Sequence, residues 1–223
     1  SGPSSYRNKN SAEDKASVGF VAICDGEVSN VNAKNIHISQ PKDNESPTNY
    51  VGTRIGYDAG LFGRVNGTAS NIHLENAKIN GDMHTGSIIG HAYSVSNLSA
   101  KSVSLYIKNG YSGGVIGYGS ASNIYGEDIS IYTTTTGNYA GGLVGFGSVN
   151  FSTIRNSKIE TLQSGGDYSF NYVGGISGQG NVNNSIVENL QIIGNKVANL
   201  DSPNKNEHYF SRYRNAGGVG AWL

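Results

Sequence analysis

The stretch Tyr139–Ser148, YAGGLVGFGS, places four glycines around the aliphatic pair Leu143 and Val144. Alone it reads as a Gly-rich loop or a phosphate cradle, but the pattern recurs. GLFG ends at Gly63, GSIIG at Gly90, GGVIG at Gly117, GGLVG at Gly145 and GGISG at Gly178, in steps of 27, 27, 28 and 33 residues. A weaker copy, VGFVA, ends at Ala22, and a partial one, GGVGA, ends at Ala221. Self-similarity at this period is the mark of a repeat architecture.

A second block follows each glycine block: KNIHI from Lys34, ENAKI from Glu75, KSVSL from Lys101, EDISI from Glu127, RNSKI from Arg155 and ENLQI from Glu188. Its third and fifth positions are mostly apolar, the period-two signature of a strand with one face inward. A helical reading fails, because glycine recurs in every unit and the apolar spacing is two. Short strands repeating at this period suit a parallel β-solenoid whose coils lie about 4.8 Å apart. Equivalent residues then stack, and Ile38, Ile79, Leu105, Ile131, Ile159 and Ile192 form an aliphatic column. The glycines are expected to serve tight corners, where positive φ or a missing side chain is needed.

The first position of the second block alternates in sign: Lys34, Glu75, Lys101, Glu127, Arg155, Glu188. Stacked, each charge lies between opposite charges, and a slip of one coil would align like with like. This ladder therefore fixes register more than it adds stability. The alternative, a catalytic row of Glu75, Glu127 and Glu188, is disfavoured because each acid has a cation in the adjacent coil. The next column, Asn35, Asn76, Ser102, Asp128, Asn156 and Asn189, is rich in side chains able to hydrogen-bond along the stack.

Composition excludes several classes. The 223-residue chain has 16 basic and 16 acidic residues and no basic block, so nothing draws it to nucleic acid or to a membrane surface. No apolar run is long enough to span a bilayer. The one cysteine, Cys24, excludes an internal disulfide framework, and its FVAIC setting favours a buried apolar role. Residues 1–17 read as a cloning scar or flexible lead-in, and 18–223 as the repeat domain, truncated within a repeat.

The segments GLFGRVNGTASNIHLENAKING, GGVIGYGSASNIYGEDISI and GGLVGFGSVNFSTIRNSKI resemble the GLUG repeat family, whose motif is glycine, leucine, any hydrophobic residue and glycine. The resemblance spans residues 18–221, with departures at Phe62 and Ser177 and at Ala22 and Ala221. It implies a parallel β-helix of the kind found in bacterial surface and secreted proteins, including large adhesins and the non-catalytic region of IgA1-specific metallopeptidases. It specifies no ligand.

Length variation concentrates between the charged position and the next glycine block. In a solenoid, such insertions project from one side, often the binding side. Two are long: Ser39–Asp58 and Ile193–Ala216, the latter carrying His208, Tyr209, Phe210, Arg212, Tyr213 and Arg214. A shorter one carries Tyr168, Phe170 and Tyr172. Tyr and Arg are frequent interface anchors, and these nine residues are the candidate binding surface. The competing reading is that they cap the core or cover the solenoid's flank.

Catalytic signatures are missing. There is no HExxH or GxSxG, and the five histidines show no metal-ligand spacing. His37 and His73 fall in different columns and read as surface residues. Neither GYGSAS nor GFGSV completes a phosphate-binding motif, and the run Thr133–Thr136 reads as solvated strand or loop. The loose acids Asp58, Asp82, Asp128, Glu160 and Asp167 form no repeated cluster of the kind a glycosidase needs.

The expected architecture is all-β, a right-handed parallel β-helix of about six coils, its hand taken from the usual rule for parallel crossovers. The expected role is a non-enzymatic structural and adhesive module of a bacterial surface or secreted protein, extracellular and without cofactor. It would present its loops to a host protein or glycan and continue into flanking domains of a longer chain. Two alternatives stand: a substrate-positioning module of a large secreted peptidase, and a carbohydrate-cleaving β-helix.

Overall fold

The structure, a computed structural model, describes residues 4–8, 15–39, 54–107, 110–133, 139–163, 171–196 and 214–217. Every regular element in them is a strand, and no helix there is long and apolar enough to cross a membrane. The chain is a parallel β-helix. One sheet stacks the short strands β5 (Arg54–Ala59), β8 (His84–Gly86), β10 (Tyr111–Gly113), β12 (Tyr139–Gly141), β15 (Asn171–Gly174) and β18 (Arg214–Gly217) in parallel. A two-residue corner leads from each of β5, β8, β10, β12 and β15 into the second sheet. There β6 (Phe62–Val65), β9 (Ile89–Ile107), β11 (Ile116–Thr133), β13 (Val144–Phe146) and β16 (Ser177–Gln179) stack, and the long β9 and β11 also stand between β4 (Val28–Ile38) and β7 (Ala69–Gly81) on one side and β14 (Val149–Gln163) and β17 (Val182–Lys196) on the other. In the N-terminal part, β1 (Ser4–Asn8) lies within the segment read as scar or lead-in and pairs antiparallel with β2 (Lys15–Gly19), which crosses from that segment into the one read as the repeat domain and pairs with β5. The remaining strand, β3 (Val21–Cys24), pairs with β6.

The register read from the repeats holds. Ile38 aligns with Ile79, Ile79 with Leu105, Leu105 with Ile131, Ile131 with Ile159 and Ile159 with Ile192. The first five are buried and Ile192 packs against the same core. In the neighbouring column, Ser157 replaces an aliphatic residue. It stays satisfied in the interior, donating from Oγ to the Arg155 carbonyl at 2.6 Å and accepting from the Ile129 N–H at 3.1 Å.

The charge column is equally continuous, with Lys34, Glu75, Lys101, Glu127, Arg155 and Glu188 aligned coil by coil. Ion pairs close along it at Lys34–Glu75 (2.6 Å), Lys101–Glu127 (3.0 Å) and Arg155–Glu188 (2.7 Å). The Lys34 hydrogen bond and charge, with Lys101 behind them, pull the Glu75 carboxyl below its ordinary range. Lys101 does the same to Glu127, and Glu127 raises Lys101 in turn.

The expectation about the glycines holds in part: Gly119, Gly147 and Gly180 take φ of 139–144°. Among the described residues, however, positive φ falls more often on asparagine. Asn35, Asn76, Ser102, Asp128, Asn156 and Asn189 have φ between 48° and 57°. A second column five residues earlier, Asn30, Asn71, Asn97, Asn123, Phe151 and Asn184, does the same at 48–58°. Each such residue breaks the in–out alternation, so Glu75 and Asn76 are both exposed between buried Leu74 and Ala77, and the strand bends around the core. Asparagine tolerates this conformation, and its amide can bond to the coil beneath. Asn76 Nδ2 donates to Asn35 Oδ1 at 2.6 Å, and Asn189 Nδ2 to Asn156 Oδ1 at 3.1 Å.

Most of the glycines in the repeated blocks answer to space instead. A β-carbon on Gly145 would lie 2.5 Å from the Gly117 carbonyl oxygen, 2.5 Å from the Ser112 nitrogen and 2.8 Å from the Tyr111 carbonyl carbon. At Gly90 it would meet the backbone of Asp58 and Ala59, and at Gly178 that of Tyr139 and Ala140. At this edge of the coil the two sheets meet backbone to backbone, with no side chain between them.

Two predictions follow from this packing. Gly145→Ala is expected to destabilise the fold by about 1–3 kcal/mol, since the obstructing atoms are backbone. Gly26→Ala, where nothing lies within 4 Å of the added carbon, is expected to stay within about 0.5 kcal/mol; urea unfolding of the two variants checks both. Lys101→Glu sets three acids in succession and is expected to lower the melting temperature by about 2–4 °C at low salt. Raising the salt should recover part of that loss, and an unchanged low-salt melting curve would refute a register role for the column.

Candidate functional site

The backbone contact at the glycine edge brings two outward columns side by side. On the short-strand sheet, Asp58, His84, Tyr111, Tyr139 and Tyr172 align in successive coils. On the adjoining strands, Arg64, His91, Tyr118, Phe146 and Gln179 align likewise. The first column lies two residues before the leading glycine of each block, and the second one residue after the closing glycine. Removing the β-carbon at Gly90, Gly117 and Gly145 is what allows the two rows to touch.

The ribbon has two chemical ends. In the middle and upper coils the rings stack: Tyr118 on Phe146 with centroids 5.1 Å apart and planes within 1°, and Tyr139 on Tyr172 at 4.8 Å and 10°. Tyr111 bridges the rows, edge-on to Tyr118 at 5.6 Å and to Phe146 at 5.1 Å. Because coils repeat at strand spacing, ring faces are covered by neighbouring rings and the outer surface is mainly ring edges. The ribbon is thereby suited to cementing the flank more than to stacking on a planar ligand.

In the lower coils the ribbon is polar. Asp58, 1% exposed, accepts from Arg64 Nε at 2.8 Å and Ser17 Oγ at 3.2 Å, both on Oδ2. Its Oδ1 lies 2.6 Å from His84 Nδ1 and 3.9 Å from His91 Nδ1. Burial disfavours the Asp58 charge, but the His84 hydrogen bond and the charges of His84, Arg64 and His91 outweigh it and hold the carboxyl below its ordinary range. Asp58 is therefore a carboxylate, which can only accept, so the proton between it and His84 sits on His84 Nδ1. His91 is pushed down to about 4, chiefly by burial, against the attraction of Asp58. Its Nδ1 is buried without a hydrogen-bond partner. Tyr57, Tyr111 and Tyr118 pack around His84 at ring-centroid distances of 4.9–5.3 Å. The ligand atoms of Asp58, His84 and His91 all lie within 4.8 Å of one another.

The residues singled out in the sequence fare unevenly. Tyr172 joins the aromatic ribbon. Arg214 opens β18, aligned with Asn171. Tyr168, Phe170, His208, Tyr209, Phe210, Arg212 and Tyr213 lie outside the described residues. His73 is exposed, as expected, with Nδ1 2.6 Å from Ser99 Oγ. The Asp58–His84–His91 grouping was missed because linear spacing separates Asp58 from His84 by a whole coil. The signal was present in the repeat itself, as the positions flanking each glycine block. No protein-family model, curated protein or solved structure matches the chain.

The pH dependence of stability follows from these shifts. Both folded pKa values are depressed, so the unfolded chain binds more protons in acid and stability falls as pH drops. His91 contributes between its ordinary value of 6.5 and about 4, and Asp58 contributes at lower pH still. In chelator-treated protein, thermal melts are expected to decline from pH 6.5 to 4. His91→Gln should flatten that window and leave the steeper loss below it. An equal slope in the variant would contradict the assignment.

Proposed function

We propose that this chain is a non-enzymatic structural and adhesive module of a bacterial surface or secreted protein, working outside the cell. It holds variable loops on a rigid coil for contact with a host protein or glycan, and continues into the flanking domains of a longer polypeptide. The observation that carries this reading is where the chain varies. The corners β5–β6, β8–β9, β10–β11, β12–β13 and β15–β16 are each two residues long. Those from the charged-column strands back to the short-strand sheet are 15, 2, 3, 5, 7 and 17 residues. The flanking strand ends stack in register, so every variable connection leaves the same edge. Insertion confined to one edge leaves the hydrogen-bonded stack intact and concentrates sequence freedom on one surface, the arrangement expected of a display scaffold. The glycine-block resemblance supports the same reading.

The test is retention of the 223-residue chain on arrayed glycans and on host extracellular proteins, with analysis of the bound glycans for cleavage. Binding without product is expected, weakened at least about tenfold when Tyr209, Phe210 and Arg212 are changed to Ala, with melting unchanged. Glycan cleavage, or binding indifferent to these residues and to shortening of 39–53 and 164–170, would overturn the proposal.

A further inference from the structure

The geometry points to a divalent transition-metal site, of the zinc class, formed by Asp58 Oδ1, His91 Nδ1 and a ring nitrogen of His84. Three observations carry it. The three ligand atoms lie within 4.8 Å of one another, brought there from two successive coils, Asp58 from one and His84 and His91 from the next. Tetrahedral zinc, with bonds of about 2.0–2.2 Å, sets its ligand atoms about 3.3–3.5 Å apart. The separations from Asp58 Oδ1, 2.6 Å to His84 Nδ1 and 3.9 Å to His91 Nδ1, bracket that value, so ligation through these atoms takes modest ring rotation and release of the His84 Nδ1 proton to solvent.

Second, His91 Nδ1 is buried, faces Asp58 and has no hydrogen-bond partner. A buried polar atom left in that state is costly, and a metal ion satisfies it. Third, the carboxylate is already oriented. Ser17 and Arg64 hold Oδ2, leaving Oδ1 toward the two imidazoles, as the outer partners of a ligating carboxylate do. Two imidazoles and one carboxylate select zinc, cobalt or nickel over magnesium and calcium, which prefer oxygen. The Arg64 guanidinium opposes a dication and lowers the affinity. The side chain of His91, 16% exposed, borders solvent and gives the ion its way in. The site ties together coils that otherwise meet only through the stack, so occupancy stabilises the first coils of the helix.

The experiment is calorimetric titration of the 223-residue chain with zinc chloride, with magnesium chloride as control, alongside cobalt(II) absorption and proton NMR. One zinc per chain is expected, at least about a hundredfold tighter than magnesium. Cobalt should give the intense visible band of a four-coordinate site and shifted ring-proton signals from two histidines. His91→Ala should weaken zinc at least about tenfold, whereas combined replacement of His37, His73 and His208 by Ala should leave binding unchanged. Absence of zinc uptake, or of the cobalt band and the paired histidine signals in the unaltered chain, overturns the site whether or not the variants fold. Unchanged zinc affinity in His91→Ala, or loss in the triple variant, overturns it as well.

Discussion

Where Gly90, Gly117, Gly145 and Gly178 pass behind the short strands there is no room for a β-carbon. The coil closes because its chain lies directly on its own backbone at this edge. Close approach of this kind cannot be relaxed by rotating a side chain, since the obstructing atoms are carbonyl oxygens and amide nitrogens. The coils closed by Gly63, Gly90, Gly117, Gly145 and Gly178 therefore present the same bare position at the same place, and only a methyl, that of Ala22, stands there in the first described coil. That requirement fixes the phase of the repeat, and the phase determines which residues meet overhead.

From that phase the rest of the architecture follows. The aliphatic column fills the interior, and burial of its side chains is the dominant stabilising term. Asparagines in left-handed conformation bend the long strands twice per coil, and amide-to-amide bonds such as Asn76 to Asn35 tie neighbouring bends together. The alternating charges lie outside, too exposed to contribute much, but arranged so that a shifted stack would set like charges together. At the glycine edge the same phase sets two outward columns against each other. Their lower coils gather Asp58, Arg64, His84 and His91, and their upper coils gather rings.

Much of this was readable in the chain. Period-two apolar spacing marked the core column, and the alternating charges from Lys34 to Glu188 marked the register, because both signals recur at the same place in successive repeats. Two things were not. The positive-φ role of Asn35 and its counterparts was obscured because asparagine's stacking capacity and its backbone tolerance point to the same residue. The Asp58–His84–His91 grouping was hidden because those columns change chemistry from coil to coil: an acid, then histidine, then tyrosine. A column of unlike residues leaves no periodic trace, although its position beside the glycine block was constant. The loops richest in aromatics, by contrast, are long and non-repeating in sequence, so the period of the repeat carried no information about them.

The claim on which the account rests is that equivalent residues of successive coils lie one strand spacing apart. Spin labels at cysteines introduced at Lys34 and Glu188, in a Cys24→Ser background, measure it directly by double electron–electron resonance. Five steps of strand spacing predict a narrow distribution centred at about 24 Å, shortening to about 19 Å when the second label moves from Glu188 to Arg155. A broad distribution, or a separation that does not shorten by one strand spacing between the two pairs, would contradict the stacked coil.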